Sequence, residues 1–224
     1  MHKISQPDDL KSLEEMFELL AADAEYLRER VAQSDSAEAR RSFVRSVFAL
    51  IEGIVFAIKR CALAGNSVQV ARLSAAERAL LQEEFYDLTD DGDAKTRPAF
   101  LHLAKNLRFA FKLFARCYEA DHDLSPDEVG WAAFRRSARV RNRLMHPKNA
   151  SDLEVTDAEL ADATRVMNWF AAHVILLFVA TVRGLTRIVE SLAPGSSKRV
   201  LTEEALESMS RSAFPHVRMP PRTT

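Results

Sequence analysis

Apolar residues recur along most of the chain at alternating spacings of three and four, which is the period of an α-helix. The first such run extends from Leu10 to Val31 and ends in the polar stretch 33–36. A second helix is predicted over residues 37–64, and its middle is apolar on most sides, as in a central helix. No alternation with a period of two, the pattern of a half-buried strand, occurs in the sequence.

Capping signals place the helices that follow. Capping residues and prolines predict four of them, over residues 74–86, 98–120, 125–145 and 156–190. Two open with a capping box, in which Ser74 is matched by Glu77 and Thr156 by Glu159. Residues 89–96 are predicted to form a loop.

These elements predict an all-α fold, an antiparallel helical bundle of five to six helices. The length of 224 residues suits a single helical-bundle domain over 1–192, followed by a tail at 193–224 that holds one short helix near 203–211. The longest apolar stretch, 169–182, is shorter than the ~20 residues of a membrane span. The N-terminus also lacks the apolar core of a signal peptide. We therefore expect a soluble cytoplasmic protein with no membrane partner.

The composition limits which kinds of binding and catalysis are expected of this chain. With 31 Lys and Arg against 32 Asp and Glu, the formal net charge of -1 excludes a strongly basic nucleic-acid binder but allows a local basic site. Two cysteines, Cys61 and Cys117, are too few for a disulfide framework and are predicted to be buried thiols. Metal-ligand spacing and a Gly-rich phosphate loop are both absent from the sequence, so neither a metal nor a cofactor is expected.

The helix predicted at 125–145 ends in a cationic stretch. Six Lys and Arg residues occur within 135–148, and no acid lies between Glu128 and Asp152. On charge alone, a solvated basic face that offsets the negative helix end is the simplest interpretation. Helical geometry adds a distinction, because Arg141 falls on the apolar side of this helix, whereas Arg139 is turned away and can be solvated.

An Arg directed into a helical seam needs a partner. Glu52, in the second helix, has apolar residues at helical spacing on both sides and is expected to be a largely buried carboxylate that requires a cation or a proton. Arg141 is one candidate for that cation, and Arg45 or Lys59 are others.

His146 follows Arg141 at the end of the helix. An imidazole titrates near neutral pH, and a guanidinium matches phosphate, so the two can hold a phosphodiester and move a proton at it. The segment Arg141-Asn142-Arg143-Leu144-Met145-His146 resembles the signature of the HEPN family (higher eukaryotes and prokaryotes nucleotide-binding domain). That signature is an Arg, four to six residues, then a His, often with Asn after the Arg. The resemblance covers roughly residues 37–185.

The resemblance implies a metal-independent RNA endonuclease whose two motifs face each other across a homodimer cleft. His146 would help to move the proton of the 2′-hydroxyl or of the leaving oxygen, and Arg141 would bind the scissile phosphate. Asn142 would orient the phosphate or the His, and Glu52 would hold Arg141. The products would carry a 2′,3′-cyclic phosphate and a 5′-hydroxyl.

Around this centre, three cations are expected to contact RNA: Arg139, Arg143 and Lys148. Relatives of this kind act as toxins or in phage defence, which implies an antitoxin or other regulatory protein as a partner. Pro147 and Lys148 follow the His here, so the His-x-Tyr form of the motif is absent. A Tyr-directed adenylylation circuit is therefore not expected.

Two other hypotheses remain open from the sequence. One is a non-catalytic HEPN-like helical module that binds RNA, nucleotide or a protein partner. The other is an unrelated helical scaffold, in which Arg141 and Glu52 form a structural pair whose loss would cost ~3–5 kcal/mol if it were buried.

Overall fold

Helices dominate the structure, a computed structural model that describes residues 6–65, 73–124 and 128–192. Within these residues the elements are α1 (Gln6–Ser34), α2 (Ala37–Gly65), α3 (Ala75–Leu81), β1 (Glu84–Leu88), β2 (Ala94–Pro98), α4 (Leu103–Cys117), α5 (Glu128–Met145), a short 3₁₀ helix (Ala150–Leu153) and α6 (Asp157–Leu192). The predicted all-α class and helix number are confirmed. The short helix predicted near 203–211 lies outside the described residues.

Helix α2 has the predicted bounds, whereas α1 extends beyond the predicted Leu10–Val31 by four residues at its start and three at its end. Two residues explain the junction between these helices. Asp35 takes a positive φ of 40°, a left-handed conformation that a helix cannot continue through. The hydroxyl of Ser36 then accepts a hydrogen bond from the N–H of Ala39 at 3.1 Å and caps the start of α2.

Both predicted capping boxes are confirmed. At α3 the N–H of Ser74 donates to Glu77 Oε2 at 2.8 Å, and the N–H of Glu77 donates to Ser74 Oγ at 3.2 Å. At α6 the same exchange joins Thr156 and Glu159, at 3.0 and 3.3 Å. The predicted start of α5 at 125–127 lies outside the described residues, whereas its end at Met145 is as predicted.

A β-hairpin replaces the predicted C-terminal part of the third helix. Helix α3 ends at Leu81, and Glu83, with φ of 58°, turns the chain into β1, which pairs antiparallel with β2. Pro98 is therefore the last residue of a strand and not the first turn of a helix, and α4 begins only at Leu103. The strands lacked a period-two signal because most of their residues are exposed, and alternation is selected only where one face is buried.

The chain divides into two compact units. Of the described residues, the hairpin unit comprises 6–15, 54–65, 73–124 and 180–192. Its core includes the two cysteines, which are buried free thiols as predicted. Burial raises the pKa of the Cys117 thiol. The buried hydroxyl of Tyr118 donates to the carbonyl oxygen of Cys61 at 2.9 Å.

The second unit, which we call the motif unit, comprises described residues 16–53 and 128–179. Its core is aromatic, with four fully buried phenylalanines: Phe43, Phe48, Phe134 and Phe170. The rings of Phe48 in α2 and Phe134 in α5 lie 6.2 Å apart between centroids, so the two helices that carry the candidate site pack directly on each other. The predicted single domain over residues 1–192 stays a prediction.

One helix is long and apolar enough to cross a membrane by length and composition. It is the segment Asp157–Ile188 of α6, with a mean hydropathy of 1.6 over its most apolar window. Of that window, 56% is buried inside the protein, as in the core helix of a soluble protein.

Candidate functional site

The predicted catalytic and supporting residues all lie in the motif unit, and the central contact joins Arg141 to Glu52. Nη2 of Arg141, on α5, lies 2.6 Å from Oε1 of Glu52, on α2. Nη1 of Arg141 donates to Oδ1 of Asn142 at 3.2 Å. The guanidinium is therefore held by one carboxylate and one amide, both of them predicted members of the site.

The other two cations considered for Glu52 have different partners. The guanidinium of Arg45 donates to the carbonyl oxygen of Leu144 at 3.0 Å. Lys59 donates to Glu83 at 2.9 Å. The alternatives left open by the sequence are thereby resolved in favour of Arg141.

The burial expected for Glu52 is wrong. Its side chain is 40% exposed and that of Arg141 is 26% exposed, so the ion pair lies at the margin of the core. Phe56, one of the apolar residues at helical spacing from Glu52, is itself 49% exposed. Apolar neighbours were therefore not enough to show that this face of α2 is buried. On α5, Ser137 is buried while Met145 is 48% exposed, so the apolar face of this helix opens towards solvent at its C-terminal end. A ligand can therefore approach Arg141 from solvent.

His146 follows directly on the last residue of α5 and is exposed. The backbone N–H of His146 donates to the carbonyl oxygen of Asn142 at 3.1 Å, which continues the helical hydrogen-bond pattern by one residue. The imidazole makes no hydrogen bond or ion pair within the part of the chain that the structure describes. The helix end thus fixes the backbone of His146, and its exposed ring is accessible to a ligand.

The loop after His146 is fixed by hydrogen bonds of its own. Oδ2 of Asp152 accepts from the N–H groups of Lys148 and Asn149 at 2.7 and 3.3 Å. Oδ1 of Asn149 accepts from the N–H of Asp152 at 3.2 Å, so the 3₁₀ helix has its own capping box. This arrangement holds the backbone next to the motif without using its side chains.

Three arginines near the start of α2 bind the end of α5 and this loop, and sequence reasoning missed their role. Arg40 and Arg41 donate to the carbonyl oxygens of Val155 and Leu153 at 3.0 and 3.4 Å, and Arg45 caps α5 as described above. Their carbonyl partners carry no sequence signature. The available signal was the grouping of three arginines within 40–45, directly before the apolar middle of the helix.

The cationic stretch is less positive in the structure than along the sequence. Acids from α2 and α6 neutralise three of its arginines, in the pairs Arg136–Asp162 (2.6 Å), Arg141–Glu52 (2.6 Å) and Arg143–Glu159 (3.1 Å). Arg143, one of the expected RNA contacts, also donates to the carbonyl oxygen of Glu154 at 2.7 Å and is therefore engaged within the protein. Of the three predicted RNA contacts, Arg139 and Lys148 are exposed and form no ion pair with any described residue.

The sequence matches no protein-family model, and no curated protein or solved structure matches it significantly. The resemblance to the HEPN family therefore stays a prediction from the segment 141–146 and its predicted helical surroundings.

Proposed function

We propose that the chain is a metal-independent RNA endonuclease of HEPN type that acts in the cytoplasm as a toxin or phage-defence effector. A homodimer would form its composite active site. The observation that supports this most is the arrangement at the end of α5. Glu52 and Asn142 orient the guanidinium of Arg141, and the unengaged imidazole of His146 follows on the same helix.

Arg141 is suited to bind the scissile phosphate. A guanidinium has five N–H donors in a rigid fork, and the contacts to Glu52 and Asn142 leave donors for a phosphate oxygen. Because the fork is already oriented, less conformational entropy is lost when a phosphate binds. Charge that develops on the phosphorane oxygens in the transition state would be stabilised by the same group.

His146 supplies the proton transfers. The 2′-oxygen attacks the phosphorus, the bond from phosphorus to the 5′-oxygen breaks, and the products carry a 2′,3′-cyclic phosphate and a 5′-hydroxyl. One proton leaves the 2′-hydroxyl and one is delivered to the 5′-oxygen. A homodimer brings two copies of His146 to one cleft, so that one accepts a proton while the other donates one.

Flanking RNA would be bound by Arg139 and Lys148, whose charges are not neutralised by described residues. Arg143 would contribute only if RNA displaced Glu159 from it. As a toxin, the protein would be held in check by an antitoxin or another regulatory protein.

The test is cleavage of single-stranded RNA by the purified chain in the presence of EDTA. Wild type should produce fragments with cyclic phosphate ends. Arg141→Ala and His146→Ala should each lower the rate by at least ~100-fold, the usual contribution of a group that stabilises charge or moves a proton. Arg135→Ala is the matched control, because it removes an exposed cation from the same helix and should leave the rate nearly unchanged.

The neutralised arginines also support a second candidate, a non-catalytic module that binds RNA, nucleotide or a protein partner. In that case RNA would bind in a fluorescence anisotropy titration, yet no fragments would form after prolonged incubation. An absence of both cleavage and RNA binding, with cellular effects unchanged in both motif variants, would reject the endonuclease and an RNA-binding module.

A further inference from the structure

The hairpin unit carries a cluster of exposed apolar side chains. Tyr86 and Leu88, in β1, are 64% and 67% exposed, and Phe85 is 45% exposed. Phe100, just after β2, is 100% exposed. Exposed apolar side chains grouped in this way are typical of a surface that binds another molecule.

The register of the two strands places two of these four side chains, Tyr86 and Leu88, on one face of the sheet. Residues paired across an antiparallel ladder share a face. That face, which we call the bare face, consists of Glu84, Tyr86, Leu88, Ala94, Thr96 and Pro98. Only Glu84 among these is partly covered. The opposite face carries the ion pair between Arg97 and Asp87, at 2.5 Å.

One edge of the sheet is open for pairing. Hydrogen bonds from Thr89 N–H to Asp93 O and from Ala99 N–H to Glu83 O, at 2.8 and 2.6 Å, continue the ladder at its two ends. By the alternation of an antiparallel ladder, the backbone N–H and C=O groups of Glu84 and Tyr86 point away from β2. No third strand pairs with β1 within the described residues. The outer edge of β2 is less suitable, because Pro98 has no N–H to donate.

The charge of the hairpin indicates which kind of segment can pair with the open edge of β1. The segment 84–98 contains five acids and two cations, a formal charge of -3. Asp90, Asp91 and Asp93, in the turn, are all exposed. Two copies of this hairpin would bring like charges together, whereas a cationic segment would be attracted to it.

We propose that the outer edge of β1 binds an extended segment of a partner protein in which apolar residues alternate with Lys or Arg. Such a segment adds a third strand to the sheet by hydrogen bonding to Glu84 and Tyr86. Its apolar side chains lie beside Tyr86 and Leu88 on the bare face. Its cationic side chains lie on the opposite face, where Asp87 is already paired with Arg97, and are attracted by the exposed acids of the turn. Alternation of side chains along a strand places the two classes on opposite faces in this way.

The binding test uses the full chain and synthetic peptides. A fluorescein-labelled peptide of alternating Lys and Val should bind saturably in an anisotropy titration. A Glu-Val peptide should bind at least about tenfold more weakly, because the acids on the hairpin repel it. A Lys-Val peptide N-methylated at alternate residues should be weakened by as much, because it lacks the N–H groups that pair with the edge of β1. The double variant Tyr86→Ser, Leu88→Ser should weaken binding by about tenfold or more. Leu19→Ser, which replaces a side chain that is 70% exposed on α1, is the matched control.

Amide hydrogen exchange on wild type gives a readout that needs no variant. The amides of Glu84 and Tyr86 should exchange fast in the free chain and slowly with the Lys-Val peptide bound. The proposal would be overturned if either the Glu-Val peptide or the N-methylated peptide bound as tightly as the unmodified Lys-Val peptide. So would slow exchange of these two amides in the free chain at low concentration, which would mean that the chain itself covers the edge. Protection that appears only as chain concentration rises would identify a second copy as the occupant and would equally reject it.

Discussion

Arg141 Nη2 lies 2.6 Å from Glu52 Oε1, and both side chains remain partly exposed, at 26% and 40%. An ion pair at this depth contributes little to stability, roughly 0–1 kcal/mol, because water screens the attraction and solvates either partner after the other is removed. Its main consequence is geometric, since Glu52 fixes the direction of the guanidinium. The expectation of a ~3–5 kcal/mol structural pair belongs to a fully buried contact, which this is not.

Replacing Glu52 should therefore separate activity from stability. In Glu52→Gln, the free energy of unfolding measured by urea should fall by no more than about 1 kcal/mol. The rate of RNA cleavage should fall much further, because Arg141 loses the group that orients it. Asp162→Asn, which weakens the pairs of Asp162 on α6 with Arg136 on α5 and with Arg165, is the matched control and should leave cleavage unchanged. A stability loss of ~3–5 kcal/mol in Glu52→Gln would favour the structural-pair hypothesis instead.

The ion pair of Lys59 differs from that of Arg141 and Glu52, because its cation is buried. Its side chain is 1% exposed and donates to Glu83, whose side chain is 44% exposed. Glu83→Gln should lower the free energy of unfolding by about 3 kcal/mol, because a buried ammonium is left without its carboxylate. Lys59→Met should leave stability equal or higher, because it removes the buried charge and Glu83 can be solvated. Urea unfolding of the two variants tests this order, and a greater loss in Lys59→Met would contradict it.

Burial lowers the pKa of Lys59 below its ordinary value of 10.5, although Glu83 partly opposes the shift. Between the lowered pKa and 10.5, the unfolded chain binds more protons at this residue than the folded chain does. Stability should therefore rise with pH across that window. The difference in unfolding free energy between wild type and Lys59→Met, measured from neutral pH to 10.5, isolates this residue from the other groups that titrate. A difference that stays constant with pH would show that Lys59 keeps its ordinary pKa.

The sequence predicted the elements whose ends carry local signals. The capping box of Thr156 and Glu159 defines the start of α6 without any knowledge of packing. The hairpin gave no such signal, because Tyr86 and Leu88 are exposed and nothing in the burial of the strand imposes a pattern. Within the site, the proximity of Arg141 and Glu52 was predictable as one option among several. The pairing of Arg143 with Glu159 was not, because it depends on how α5 and α6 pack.

Acid should weaken one identifiable contact in the hairpin unit. The hydrogen bond from Arg116, helped by the backbone N–H of Ser74, lowers the pKa of Glu77 from 4.5 to about 2. Stabilisation by a carboxylate with a lowered pKa is complete above 4.5 and is lost as the pH falls towards 2. The difference in unfolding free energy between wild type and Glu77→Gln should therefore shrink across that range. In Arg116→Met, the midpoint of the Glu77 titration, followed by NMR, should move back towards 4.5. An unchanged midpoint would mean that Ser74 alone lowers the pKa.

Helix α6 passes very close to the backbone that follows α4, and Gly184 is the residue that permits this approach. A Cβ added at Gly184 would lie 2.0 Å from the carbonyl oxygen of Tyr118 and 2.8 Å from the backbone of Glu119. Backbone atoms cannot move aside as a flexible side chain can, so the helix would have to shift. Gly184→Ala should lower the free energy of unfolding by about 1–3 kcal/mol, despite the better helix propensity of Ala.

Gly53→Ala is the matched control for Gly184→Ala, since it makes the same change within a long helix. Its added Cβ would lie 2.6 Å from Cδ1 of Leu20, the end of a side chain that can rotate away, and at an ordinary contact distance of 3.8 Å from Sδ of Met16. The gain in helix propensity, up to about 1 kcal/mol, should then offset most of the crowding. Thermal unfolding of the two variants should therefore give a clearly lower midpoint for Gly184→Ala and one near wild type for Gly53→Ala. Equal midpoints would mean that α6 does not approach the backbone of Tyr118 this closely in solution.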